Sequence, residues 1–323
     1  MVQGAYLICS PAMFSRAYRW FDRVILELGR EFRLSYLPPL MVYVAYGVSG
    51  LTAIVGTFFV KEYLGLSAEF LAALGFWAGI PWALKMPLGH LVDLIWRHKA
   101  GMVYLGAGLI AASLLIMVGL LDRPAEMSTI MPVEAWFVLS ALLAPVGYVI
   151  QDVVADAMTV EAVPLVDREG HTFPAGTRRL MHTTMQTLGR VAIIGGTVFV
   201  ALLNVFMFAG VETLDEAAKL EIYTRIYTLA LVIPVVSVAG VLLGGTLKRR
   251  EMRRLREHGI ERAQAEELVY GRPERTPPNW WILGGSLVFV VFTVSMGLGE
   301  VPYNQEIIFV GSMLIVLFLI NRL

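Results

Sequence analysis

Asp152 and Asp156 stand four residues apart within Val149-Ile150-Gln151-Asp152-Val153-Val154-Ala155-Asp156-Ala157-Met158, a stretch apolar enough to cross a bilayer. At positions i and i+4 of a helix both carboxylates project from one face. A charge at the bilayer centre costs at least ~2.5–3.5 kcal/mol on insertion scales, so such side chains face a partner or a water-filled cavity. Two cations share the predicament, Lys85 in a second apolar run and Arg190 in a third. At ~1.5 Å of rise per residue, all four come out in one slab, roughly 8–14 Å from the same end of their helices. Two chemistries suit such a set. One is a static ion-paired lock between helices. The other is a site that binds an anionic solute and carries a coupling proton, with Asp152, the deeper acid, loading and releasing that proton and Gln151 beside it as a polar contact.

The elements that position these residues are membrane spans. Of 323 residues, 57% are hydrophobic and 16% charged, against about 45–50% and about 25% in a soluble domain. Eight runs are long enough for ~30 Å of hydrocarbon, at residues 38–60, 69–92, 101–121, 134–162, 182–209, 223–247, 280–299 and 303–321. The composition therefore predicts an all-α polytopic membrane protein, with its fourth and fifth spans tilted or projecting beyond the lipid. Of the 26 Lys and Arg residues, 20 fall in segments on one side. That bias predicts both termini in the cytoplasm, as in an integral protein of a bacterial cytoplasmic membrane.

Other features narrow the function. The formal net charge of +0 argues against a nucleic-acid partner. The single Cys9 excludes an internal disulfide and any Cys-based metal site. His90 and His182 have no companion ligands at metal spacing, so neither metal nor cofactor is expected. No Walker loop, dinucleotide fingerprint or serine-hydrolase elbow occurs, so an enzyme is not expected. Phe14, Tyr18, Phe21, Ile25, Leu28 and Phe32 form a helical stripe across residues 11–33, opposite Arg16, Arg19, Arg23 and Arg30. That segment reads as an interfacial amphipathic helix or as one packed under the bundle. Residues 248–279 read as a basic linker, opening with a charge-laced helix from Lys248 to about Leu268 whose face is solvated. Gly75-x-x-x-Gly79 and Gly240-x-x-x-Gly244 have the spacing of close helix contacts. Glu161, at the inner end of the fourth span, is expected to join Asp93 and Arg97 in a cytoplasmic latch.

Gly89-His90-Leu91-Val92-Asp93-Leu94-Ile95-Trp96-Arg97 resembles the loop between the second and third spans of the major facilitator superfamily. Pro81-Trp82-Ala83-Leu84-Lys85, with Pro87-Leu88-Gly89 and Asp93, resembles the second-span signature of the folate–biopterin transporter family. Gln151-Asp152-Val153-Val154-Ala155-Asp156-Ala157, ending Val160-Glu161, resembles its fourth-span signature, and Gly50-Leu51 with residues 58–67 its first span and outer loop. The resemblance covers residues 38–163 and continues mainly as span layout. Met86 separates Lys85 from Pro87 where the family has Lys-Pro directly, and the arginine run after Asp93 is thinned to Arg97-His98-Lys99. Muropeptide permeases carry a similar fourth-span signature, which leaves both groups open.

The resemblance implies a major-facilitator-type helical bundle of twelve spans in two six-helix halves, working by alternating access. Against that frame the eight spans read as a truncated chain. It has a segment at 1–37, a six-helix half at 38–247, a linker at 248–279 and the first two helices of an incomplete second half at 280–323. The implied function is secondary active transport of a small organic anion, folate- or pterin-like, coupled to protons. Asp152, Asp156, Lys85, Arg190, Gln151, Tyr46 and Tyr148 are the expected substrate and coupling residues, with Tyr43 able to stack on a flat ring like the other two tyrosines. Gly89, Asp93, Arg97 and Glu161 are the expected latch. The partners are the lipid bilayer, the anion, protons and a protein supplying the missing helices. The alternative is a non-transporting membrane assembly or scaffold protein on the same fold.

Overall fold

The structure, a computed structural model, describes residues 27–167, 171–270, 277–299 and 301–322, with only the backbone of Glu27, Leu28, Glu62, Arg97 and Glu212. The part of the amphipathic stripe before residue 27 lies outside the described residues. Among those residues eight helices are long and apolar enough to cross a membrane, and none belongs to a β-sheet; Val166 and Thr172 form an isolated bridge. The chain is an all-α polytopic membrane protein.

Three of the spans are jointed, and proline chemistry places the joints of the second and the sixth. The first span, Leu34–Phe59, holds α1 (Leu37–Gly47) and α2 (Ala53–Phe59) around a short 3-10 turn. The second, Ala68–Leu94, holds α3 (Ala68–Ala83) and α4 (Lys85–Leu94). Pro87 has no N–H for the Ala83 carbonyl, and the helix gives way at Leu84. The third and fourth spans are single helices, α5 (Lys99–Asp122) and α6 (Val133–Ala162). The fifth is α7 (Ala175–Met207). The sixth combines α8 (Glu216–Ala230) and α9 (Val232–Glu257), and it parts at Leu231 because Pro234 has no N–H for the Ala230 carbonyl. After α10 (Arg262–Tyr270) come α11 (Trp280–Leu298) and α12 (Asn304–Arg322).

The fifth and sixth spans extend well past the apolar runs at residues 182–209 and 223–247. Backbone hydrogen bonding does not stop where hydrocarbon stops, and hydropathy registers only the lipid-exposed part. The helix expected from Lys248 to Leu268 is likewise two elements. Its first half continues α9 to Glu257, and Gly259, at φ 83°, turns the chain back into α10. Nor is this hairpin solvated throughout. Leu255 and Ala265 are buried against Val166, with Met252, Ile260, Leu268 and Val269 around them.

Between helices in lipid, contact comes from close backbone approach and shared polar groups. α5 and α6 meet at Gly106 and Gly147, where a Cβ on Gly147 would lie 2.6 Å from the Gly106 carbonyl oxygen. Deeper along the same seam, Ser113 Oγ donates to the Ser140 carbonyl at 2.8 Å and Ser140 Oγ to the Ser113 carbonyl at 3.0 Å. Gly47 of α1 crosses Gly196 of α7 in the same manner. Gly240 and Gly244 lie against Pro38 as their spacing suggests, whereas Gly75 and Gly79 face open space. α11 packs on α12 and reaches α4, where the Asn279 N–H donates to His90 Nε2 at 2.8 Å.

Gly147→Val is expected to destabilise the bundle by about 1–3 kcal/mol, because backbone on the facing helix must move. Gly108→Ala, with nothing within 4 Å of the added Cβ, is expected to be neutral or stabilising. Unfolding of both variants in mixed detergent micelles checks the contrast.

Candidate functional site

Lys85 is the first residue of α4, beyond the joint at Leu84, and the joint turns its side chain toward α6. Its Nζ lies 2.5 Å from Asp152 Oδ2 and 2.9 Å from Asp156 Oδ2. One cation thus bridges both carboxylates of the i, i+4 pair. The second oxygen of Asp156 is held from a third helix, since the Tyr43 hydroxyl of α1 donates to Oδ1 at 2.5 Å. Tyr43 reaches it by passing α7 at Gly189, where a Cβ would lie 2.8 Å from the ring. The cluster is unevenly exposed. The Asp152 side chain is 6% exposed, that of Lys85 42% and that of Asp156 50%.

Arg190 follows Gly189 on α7 and is exposed. It is close enough to Asp152, Tyr43 and Tyr46 to interact electrostatically, yet no carboxylate lies within 4 Å of it among the described residues. The four charges expected to pair mutually are therefore a bridged trio and a separate guanidinium. One helical turn further from the basic end, about 5 Å along the axis, the same helices carry aromatic rings. Tyr46 packs on Trp82 at 5.3 Å between centroids and meets Tyr148 edge-on at 6.3 Å. Tyr148 is 9% exposed, whereas Tyr46 and Trp82 are half-buried.

Gln151 does not join this site. It is 1% exposed and turned to the opposite side of α6 from Asp156. Its Nε2 donates to the Val103 carbonyl at 3.3 Å, and its Oε1 accepts from Ser237 Oγ at 2.9 Å. The residue expected to touch substrate is a bracket joining α5, α6 and α9. The neighbouring position on a helix is rotated by about 100°, which separates adjacent polar residues that look like one motif in the sequence.

The expected latch is rearranged. Glu161 is 6% exposed at its side chain and has both oxygens taken by lysines, one by Lys99 at the start of α5 and the other by Lys248 of α9 at 2.5 Å. Lys99 Nζ also lies 3.7 Å from the centre of the Trp96 ring. The Arg97 side chain lies outside the described residues; Asp93 is exposed and Gly89 has open space around its Cα. Sequence reasoning placed Lys99 and Lys248 at the same end of the bundle as Glu161 without pairing them to it, since loop assignment does not fix rotation about a helix axis. It also weighed Tyr43 only as a stacking ring. An available signal for its actual partner was its place near the inner end of the first span, level with Asp156. Among the described residues no three His, Cys, Asp or Glu side chains gather into a metal-holding group.

No family model and no solved structure matches the chain. A curated folate-biopterin transporter from Synechocystis sp. is 35% identical over 83 residues, which is 26% of this chain and 17% of that protein. The chain therefore matches well under two thirds of that relative's length.

Lys85→Met is expected to destabilise the protein more than the double variant Lys85→Met/Asp152→Asn, because the single change strands a nearly sealed carboxylate. A double-mutant cycle read by thermal unfolding should give a coupling of about 0.5–3 kcal/mol.

Proposed function

We propose that the protein is a secondary transporter of a small organic anion coupled to protons, with Lys85, Asp152 and Asp156 as its coupling centre. The observation that carries this reading is the single lysine shared by two carboxylates, one sealed and one open, beside an unpaired Arg190. With both acids ionised the trio holds one surplus negative charge, which the Arg190 guanidinium offsets through space. An anion bound at Arg190 removes that offset, and a proton taken by an aspartate restores neutrality. Asp152 is the acid best placed to take it. Sealed from water, it cannot stay ionised if Lys85 moves away with α4, and a buried carboxylate without a cation neutralises by protonation. The joint at Leu84 provides the place where such a movement can occur.

The half-buried rings of Tyr46 and Trp82, one helical turn from this centre, are of the kind that stack on a flat ring. Together with the partial similarity to a folate-biopterin transporter, they favour a folate- or pterin-like anion. The reading extends to a major-facilitator-type arrangement with alternating access. Residues 38–247 would form one six-helix half, 248–279 a linker and 280–323 the opening of a second half, with the basic end in the cytoplasm of a bacterial cell. Glu161 with Lys99 and Lys248, near Asp93, Arg97 and Gly89, would close that end. A static reading also has an observation behind it, because the trio is satisfied as it stands. On that reading the cluster only locks three helices and the protein is a scaffold.

Full-length protein in liposomes with an imposed pH gradient separates the two readings. Labelled folate or biopterin is expected to enter with a matching proton flux, reported by an internal dye. Asp152→Asn should abolish gradient-driven uptake in a folded protein, and Arg190→Gln should raise KM by at least ~10-fold. Uptake that ignores both the gradient and Asp152→Asn, or no uptake at all by folded protein, would leave the static reading standing.

A further inference from the structure

A second site lies on the other face of α6. A cavity of about 1410 Å³ opens at the basic end of the bundle, between the start of the first span, the ends of α6 and α9, the start of α7, and α10. Val154, Met158 and Glu161 line it at helical spacing, while Lys85, Asp152, Asp156 and Arg190 do not. It is therefore separate from the coupling centre, although Glu161, Lys99 and Lys248 of the proposed latch form part of its wall.

The cavity is amphiphilic. Its apolar lining includes Pro38, Pro39, Val154, Met158, Leu180 and Val241. Its charges are unevenly matched. Glu161 is held by Lys99 and Lys248, Glu251 pairs with Arg254, and Glu31 accepts from Thr184 Oγ1 at 2.6 Å. Three other guanidinium groups have no such partner. Arg33, whose Cζ lies 5.4 Å from the centre of the Phe173 ring, and the neighbours Arg249 and Arg250 have no carboxylate within 4 Å among the described residues. Arg33 sits one residue before the first span, and Arg249 and Arg250 follow the apolar run that ends at residue 247, positions where headgroups are expected.

Guanidinium forks match phosphate oxygens two at a time. The volume exceeds the ~300–1,000 Å³ that closes around drug-sized ligands, so phosphate alone would leave most of it empty. Basic pockets between spans at headgroup depth are the kind that hold acidic lipids. We propose that this cavity binds an anionic phospholipid. Its phosphate is taken by Arg33, Arg249 and Arg250, and its acyl chains lie along the apolar wall. The lipid thereby ties the start of the first span to the end of the sixth beneath α10.

The test uses the full chain purified in a neutral detergent, with bound lipid read by native mass spectrometry and stability by thermal unfolding. Phosphatidylglycerol is expected to stay bound and raise Tm, phosphatidylcholine with the same acyl chains to do neither, and added salt to weaken the effect. Arg33→Gln/Arg249→Gln/Arg250→Gln should lower phosphatidylglycerol affinity by at least ~10-fold. Arg123→Gln/Arg225→Gln, at the opposite end, should leave it unchanged. Equal retention of phosphatidylcholine, or full retention of phosphatidylglycerol by the triple variant, overturns the proposal. So does a full Tm shift from glycerol 3-phosphate alone, which would make the ligand a soluble phosphate. The salt titration needs no variant, so poor folding of the triple change does not remove the test.

Discussion

The bilayer interior offers ions no water, and one lysine side chain answers that constraint for two aspartates. Lys85 lies within ion-pair distance of both Asp152 and Asp156, and much else in the bundle serves that contact. Pro87 loosens the second span one residue before Lys85, freeing α4 to direct the ammonium at α6. Gly189 leaves room for the Tyr43 ring, whose hydroxyl takes the remaining Asp156 oxygen. Three helices are thereby committed to one small cluster. Opposite charges satisfy each other at this depth only if their helices approach closely, so the glycine contacts and the ion pairs are parts of one arrangement.

The polar groups divide by what they can still do. Gln151, Ser237, Ser113 and Ser140 have their bonds met inside the bundle and hold α5, α6 and α9 in register. Glu161, clasped by two lysines, does the same at the basic end. Asp156 and Lys85 remain half open, and Arg190 and the cavity-lining Arg33, Arg249 and Arg250 have no carboxylate beside them among the described residues. A charge without a partner at or near the membrane is held at a cost. Such charges collect on opposite faces of α6, at the centre proposed to meet a solute and in the cavity proposed to hold a lipid.

The basic end also shows why hydropathy and architecture part company. α9 leaves the lipid without interruption, and the chain turns at Gly259 so that Leu255 and Ala265 build a small core with Val166. Helical hydrogen bonding continues in water as well as in lipid, while burial among protein side chains follows apolar spacing that a window average erases. That hairpin folds a charged segment back on the bundle, and it forms one wall of the basic cavity.

From residue types alone the chain determined its class, its eight spans and the depth at which Asp152, Asp156, Lys85 and Arg190 would lie. Hydrocarbon thickness sets span length, and ~1.5 Å of rise per residue sets depth. Rotation about each helix axis is not encoded in that way. It is decided by which small residues let which helices approach, and only the packed bundle settles it. Rotation turned Gln151 away from its neighbour Asp152, left Arg190 out of the ion pairs, brought Tyr43 to Asp156 and gave Glu161 to Lys99 and Lys248. Depth is a property of one helix, whereas a site is a relation among several.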